Sequence, residues 1–291
     1  MKNQHIPVLL SEVLASLSPQ AGESYLDLTA GYGGHAKSIL DVTLNYKDSV
    51  LVDRDEFATN CLKNKFSRSI TIMNTDFYGA ALQLIECGKT FDMILADFGV
   101  SSPQLDNEER GFSFKNEGPL DMRMDQREQL TASDIVNHWR EKDLVDIFIK
   151  YGEEKPGRAK MLAREIVTNR PITNTKQLAD IIVGKSKYNH SHHPATKIFQ
   201  AIRIAVNDEL GEIEKTLPLI PNLLNKGGRV GIITFHSLED RLVKDFFKES
   251  TKFGEESKLR ILNKKPIVAN PDELAINPRA RSAKLRVAVR N

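Results

Sequence analysis

Within its first hundred residues the chain alternates four short apolar runs with amphipathic stretches, and this alternation restricts it to a parallel sheet built from βα units. Tyr25 to Thr29, Ser49 to Asp53, Ile70 to Met73 and Phe91 to Ala96 read as strands. Helices are expected near His35 to Leu44, from about Glu56, and through Ala80 to Ile85. The fourth strand runs into Asp97, and there the pattern stops. From about Asn107 to Ala205 the chain reads as mostly helical. Thr131 and Asp134 have capping-box spacing, and Pro156 and Pro194 sit where a first helical turn accepts proline. Ile198, Ile202, Ala205 and Val206 mark one buried helix face. The α/β pattern resumes with a helix through Leu210 to Leu224. Gly227-Gly228 then leads into a strand from Val230 to Thr234, followed by β-prone runs Leu259 to Leu262 and Leu285 to Val289. The expected fold is α/β: a doubly wound, mostly parallel sheet formed by residues 1–106 and 206–291, interrupted by a helical insert over 107–205.

A length of 291 residues with 40% hydrophobic and 27% charged is ordinary for a globular protein that needs no staples. Cys61 and Cys87 lie far apart in a chain without a secretory signal, so no disulfide framework is expected. The apolar runs are too short to span a bilayer, and a cytoplasmic protein is expected. With 41 basic and 39 acidic residues, net charge does not announce nucleic-acid binding. Its distribution says more. Ile276 to Asn291 holds Arg279, Arg281, Lys284, Arg286 and Arg290 with no acid, a cluster able to neutralise phosphates. A solvated terminal strand is the plainer alternative.

Asp27-Leu-Thr-Ala-Gly31-Tyr-Gly33-Gly34-His35 joins the first strand to its helix, where glycines permit a tight turn and close approach of a ligand to the backbone. The next strand ends in Asp53, 22 residues beyond Gly31, where an acid can hold both hydroxyls of an adenosine ribose. The glycine spacing does not meet the dinucleotide fingerprint, so an adenosine-type cofactor without pyrophosphate fits better. Asp55 can cap the following helix. Phe77, after the third strand, is either an adenine wall or core.

Asp97 opens the stretch Phe98-Gly-Val-Ser101-Ser102-Pro103-Gln104-Leu-Asp106, at the strand ends where open α/β sheets collect ligands. This loop resembles a longer form of the Asp-Pro-Pro-Tyr segment of amino methyltransferases. The exocyclic amine of cytosine is a poor nucleophile, because its lone pair is delocalised into the ring. An acceptor on its N–H helps aim that pair at a methyl donor. Asp97 is one candidate acceptor, and a backbone carbonyl of Ser101-Ser102 is its rival. A second polar cluster, Thr234 to Arg241, follows a later strand. There His236 can contact the target base, Phe235 can stack on it or fill core, and Ser237 can cap the next helix with Asp240 at N3. The run His190-Ser-His192-His193 lacks cysteine partners or a second spaced pair, so no metal is expected.

Several segments together resemble the bacterial 16S ribosomal RNA cytosine-N4 methyltransferases of the RsmH (MraW) type. They are HIPVLLSEV from His5, GYGGHA from Gly31, DFGVSSPQLDNEERGFSF from Asp97 and GPLDMRMD from Gly118. With them go YGEEK from Tyr151, HPATKIFQAIRIAVNDEL from His193, GGRVGIITFHSLEDRLVK from Gly227 and NPRARSAKLRVAVR from Asn277. The resemblance implies a Rossmann-like domain dependent on S-adenosylmethionine, a helical insert that binds substrate, and methylation of N4 of cytidine 1402 in 16S rRNA within the 30S subunit. It puts cofactor contacts on Gly33, Gly34, His35, Asp53, Phe77, Asp97 and Gln104, so Asp97 is claimed for two roles. Asp97, His236, Ser101 and Ser102 are the expected catalytic group. Arg110, Arg123, Arg241, Arg279, Arg281 and Lys284 are the expected RNA contacts, with salt bridging the alternative for each. The resemblance also leans towards a homodimer. Competing expectations are a DNA amino-methyltransferase, an RNA-binding assembly factor without turnover, and a nicotinamide oxidoreductase.

Overall fold

The computed structural model describes residues 6–66, 69–184, 193–251 and 257–291. The chain divides into two compact units, Met1–Gly99 with Leu210–Asn291, and Val100–Glu209.

The first unit begins with a helix, α1 (Leu10–Leu17), and then alternates strand and helix: β1 (Tyr25–Asp27), α2 (Gly34–Thr43), β2 (Val50–Asp53), α3 (Glu56–Lys65), β3 (Thr71–Asn74), α4 (Phe77–Glu86) and β4 (Phe91–Asp97). These strands are short and almost wholly apolar because parallel strands are covered on both faces. Along β4, Met93 and Leu95 enter the core shared with α1 and α2, while Ile94 and Ala96 enter the core shared with α4. Two of these helix starts are capped by an aspartate. Asp55 accepts the Phe57 amide at the start of α3, and Asp76 accepts the Gly79 amide at the start of α4.

In the second unit the helices are α5 (Ser102–Asp106), α6 (Ala132–His138), α7 (Glu141–Lys150), α8 (Pro156–Thr168), α9 (Thr175–Gly184) and α10 (Thr196–Asn207). Their core includes Ile135, Phe148, Leu162, Ile166, Ile198 and Ile202. Val100 and Leu105 pack against it, so this unit takes in the loop after β4 and starts at Val100 rather than 107. The Thr131–Asp134 capping box forms, and Pro156 opens α8. Pro194 instead lies in a turn two residues before α10.

The first unit resumes with α11 (Glu209–Thr216), a 3-10 turn over Leu217–Leu219, and α12 (Ile220–Leu223). Pro218 and Pro221 break the single helix expected here, since proline removes an amide and clashes with the preceding turn. There follow β5 (Leu224–Thr234), α13 (Ser237–Ser250), β6 (Leu259–Ile261), α14 (Pro271–Ile276) and β7 (Lys284–Arg290). The sheet order is β3-β2-β1-β4-β5-β7-β6, parallel except for β7, which pairs antiparallel with both neighbours. The chain leaves β1 towards β2 and β3, then crosses back to place β4 on the other side of β1. The winding therefore reverses between β1 and β4, and open sheets of this kind bind ligands at the strand ends beside such a switch point. No helix among the described residues is long and apolar enough to cross a membrane.

Candidate active site

Three carboxylates end three neighbouring strands at this switch point: Asp27 on β1, Asp53 on β2 and Asp97 on β4. Asp27 is buried, accepting the Tyr25 hydroxyl at 2.7 Å and the Thr29 amide at 3.1 Å. Asp53 accepts the Gly31 amide at 2.7 Å and the Asp55 amide at 2.8 Å. The Asp97 amide donates to the Thr29 hydroxyl, binding the end of β4 to the turn after β1. Burial, followed by repulsion among the acids, pushes the Asp27 and Asp97 carboxyls up to about 7. Burial likewise lifts Asp53 to about 6. Asp27 adds to the rise at Asp97, as does Glu239. Such a pocket favours a cationic ligand, which would offset the charge that burial penalises. Asp27 went unremarked in the sequence; the signal was an acid closing an otherwise apolar strand.

The glycine turn separates two uses of glycine. Gly31 and Gly33 both have positive φ, 52° and 70°. A Cβ on Gly31 would meet nothing nearer than the Thr29 carbonyl at 4.0 Å, so the turn is open there. A Cβ on Gly33 would lie 2.6 Å from the Phe66 ring, and one on Gly34 2.5 Å from Pro7 Cγ. Packing alone thus demands glycine at both of these expected cofactor positions. His35 Nε2 lies 2.9 Å from the Val8 carbonyl, so this buried side chain is taken up by the protein. What remains for a ligand is the first turn of α2, whose leading amides have no intrahelical acceptor and carry the positive end of the helix dipole. Phe77 is half-buried, with its ring centroid 5.3 Å from that of Phe98.

Beyond β5, the N-cap of α13 is not the expected Ser237. His236 is the N-cap of α13, with Glu239 at N3. The Glu239 carboxylate accepts the Phe235 amide at 2.7 Å and the His236 amide at 3.2 Å. His236 Nδ1 accepts the Glu239 amide at 3.4 Å, and Nε2 lies 3.0 Å from Glu239 Oε1. Nε2 and Oε1 are both buried without a hydrogen-bond partner among the described residues. Through Nδ1 and its own amide His236 helps build the corner, while Nε2 is left unpaired. Asp240 is drawn away to Arg286 at 2.7 Å and Lys284 at 3.1 Å on β7. Phe235 packs on Gly99, where a Cβ would come within 2.4 Å of its ring.

Ser101, Ser102 and Gln104 belong to the second unit. Ser101 caps α5, accepting the Gln104 amide, while the Gln104 carboxamide accepts the Ser101 amide. Ser102 is the first residue of that helix. Arg110 is buried, 7% exposed, and donates to the Arg123 and Met124 carbonyls. Arg123 forms a two-pronged pair with Asp121 and donates to the Gln126 and Glu128 carbonyls. Lys284 is half-buried on Asp240. Arg241, Arg279 and Arg281 are exposed, the first on α13 and the others in the 3-10 turn Pro278–Ser282. His190 and His192 lie outside the described residues. His193 stacks on Phe114 at 4.4 Å and accepts the Ala195 amide.

The model of the MraW methylase family matches residues 2–291 of this chain. The "Ribosomal RNA small subunit methyltransferase H" of Synechocystis sp. is 46% identical over 298 aligned residues, covering 98% of this chain and 92% of that one. The protein of the same name from Trichodesmium erythraeum is 45% identical, with 98% of each chain covered. The chain therefore belongs to the MraW methylase family.

Proposed function

We propose that this protein methylates N4 of cytidine 1402 in 16S rRNA of the 30S subunit, using S-adenosylmethionine. The observation that carries the reading is the trio of Asp27, Asp53 and Asp97 around the open glycine turn. The donor set fits this cofactor. Asp53 is placed to hold ribose hydroxyls, the first turn of α2 suits a carboxylate, and the acid-rich pocket suits an ammonium and a sulfonium. When bound, the cofactor supplies an electrophilic methyl group.

The chain's own residues supply position and proton handling. Cytosine N4 gains the methyl group and loses one proton, and S-adenosylhomocysteine leaves. Asp97, with its carboxyl lifted to about 7, both aims the amine through its N–H and can receive that proton near neutral pH. The base must leave its stack to reach such a site. The helical unit over Val100–Glu209 and the exposed Arg241, Arg279 and Arg281 serve RNA binding in this reading. A ribosomal substrate also puts the protein in the cytoplasm. The relatives' printed name, a small-subunit ribosomal RNA methyltransferase, supports the substrate class.

The test is methyl incorporation from labelled S-adenosylmethionine into 30S subunits lacking the modification, with mass mapping of the product. N4-methylcytidine at the decoding centre is expected from the wild type and none from Asp97→Ala. Cofactor binding without any incorporation would point to a non-catalytic assembly role instead.

A further inference from the structure

The N-terminal segment Ile6–Leu9 lies on the start of α2 through two contacts. Pro7 fills the space that a Cβ on Gly34 would need, and the Val8 carbonyl meets His35 Nε2. The segment is held in turn from the far end of the sequence. Glu273, on α14, accepts the Leu9 amide at 2.7 Å, and Asn277 donates to the Ile6 carbonyl at 3.2 Å. Leu9 itself is fully buried with φ 56°, a left-handed conformation that a leucine keeps only where its surroundings impose it. Among the described residues the Glu273 carboxylate is the acceptor of this strained amide.

We propose that Glu273 is a positioning residue for the cofactor pocket: by accepting the Leu9 amide it seats residues 6–9 on the first turn of α2 and holds the glycine turn in its ligand-binding shape. The proposal rests on the reading of that turn as the cofactor site. Without the acceptor, the Leu9 amide is left buried and unpaired, and the segment must shift to regain a partner. Pro7 and the Val8 carbonyl move with it, releasing Gly34 and His35. Glu273 lies 239 residues beyond Gly34 in sequence, so the C-terminal segment that presents Arg279 and Arg281 also braces the cofactor turn.

Two readouts test this on the full chain. Hydrogen exchange of the amides from Gly33 to Lys37, in cofactor-free protein, reports the turn directly. Calorimetric binding of S-adenosylmethionine reports its consequence. Glu273→Ala should speed exchange in that segment and raise the cofactor Kd about tenfold, the scale of one lost charge-assisted hydrogen bond. Glu273→Gln keeps an acceptor oxygen and should restore both. A role in global stability alone would lower Tm while leaving local exchange and Kd at wild-type values, and that result overturns the proposal. So does faster exchange with unchanged Kd. Failure of the wild type to bind the cofactor, with exchange still responding to Glu273, would instead sink the cofactor reading and leave the brace standing.

Discussion

Asp53 and Gly31 share a 2.7 Å hydrogen bond that ties the end of β2 to the turn after β1. The carboxylate has capacity beyond its two backbone donors, since each oxygen accepts more than one hydrogen bond. Asp53→Ala should therefore raise the S-adenosylmethionine Kd about a hundredfold, the scale of two hydrogen bonds to a charged group. Calorimetry decides it. A cofactor analogue lacking both ribose hydroxyls should bind the variant and the wild type alike, and an unchanged Kd for the natural cofactor would remove Asp53 from the site.

The raised carboxyls of Asp27, Asp53 and Asp97 give a signed pH dependence. Their folded values lie above the unfolded range, so the stability they contribute is fully present below about pH 4 and lost as pH climbs through about 6 to 7. Acids held below their usual range, such as Asp76, Asp92 and Asp240, act only under about pH 4. Cofactor-free protein should thus melt at a lower Tm at about pH 8 than at about pH 5. Asp97→Asn should flatten that slope and abolish methyl transfer. Cofactor affinity should move the opposite way, rising with pH as the carboxylates form. A flat Tm profile would show that these acids ionise normally.

The strands were legible because a parallel strand covered on both faces must be an apolar run, and each begins and ends within two residues of its expected limits except for the start of β5. That strand starts at Leu224, paired with Phe91, and runs on through Gly227-Gly228 across an irregularity in the ladder. The sequence placed the two glycines ahead of the strand; they fall between its Leu224 and Arg229 pairings, where the ladder shifts. The expected cap of α13 was misplaced for a related reason. His236–Glu239 and Ser237–Asp240 have the same spacing, and serine is the better N-cap by preference. Asp240 is claimed by Lys284 and Arg286, more than forty residues away, and local spacing carries no trace of that. The burial of Arg110 was hidden in the same way, because its acceptors are backbone carbonyls that every sequence possesses.

Arg110 makes that last point testable. Its guanidinium is buried against the Phe112 ring and fixes the loop carrying Arg123 and Met124. Arg110→Ala leaves two carbonyls unpaired and should cost about 2–4 kcal/mol, read as a lower Tm and a lower denaturation midpoint. RNA affinity of the protein that remains folded should be unchanged. A variant with wild-type Tm and weaker RNA binding would return Arg110 to the RNA surface.

Arg279 and Arg281 are exposed on the 3-10 turn before β7, and Lys284, two residues past that turn, is committed to Asp240. Position thus separates residues that composition grouped together. A phosphate contact releases counterions, so each one lost lowers the slope of log affinity against log salt by about 0.7 on single strands. Arg279→Ala with Arg281→Ala should weaken RNA binding and reduce that slope by about 1.4, with cofactor Kd unchanged. Lys284→Ala should instead lower Tm, by unbalancing Asp240 beside Arg286, and leave the slope intact. Filter binding across a salt series distinguishes the two. If the double variant keeps the wild-type slope, the basic C-terminal turn faces solvent in the complex and the phosphate contacts lie elsewhere on the protein.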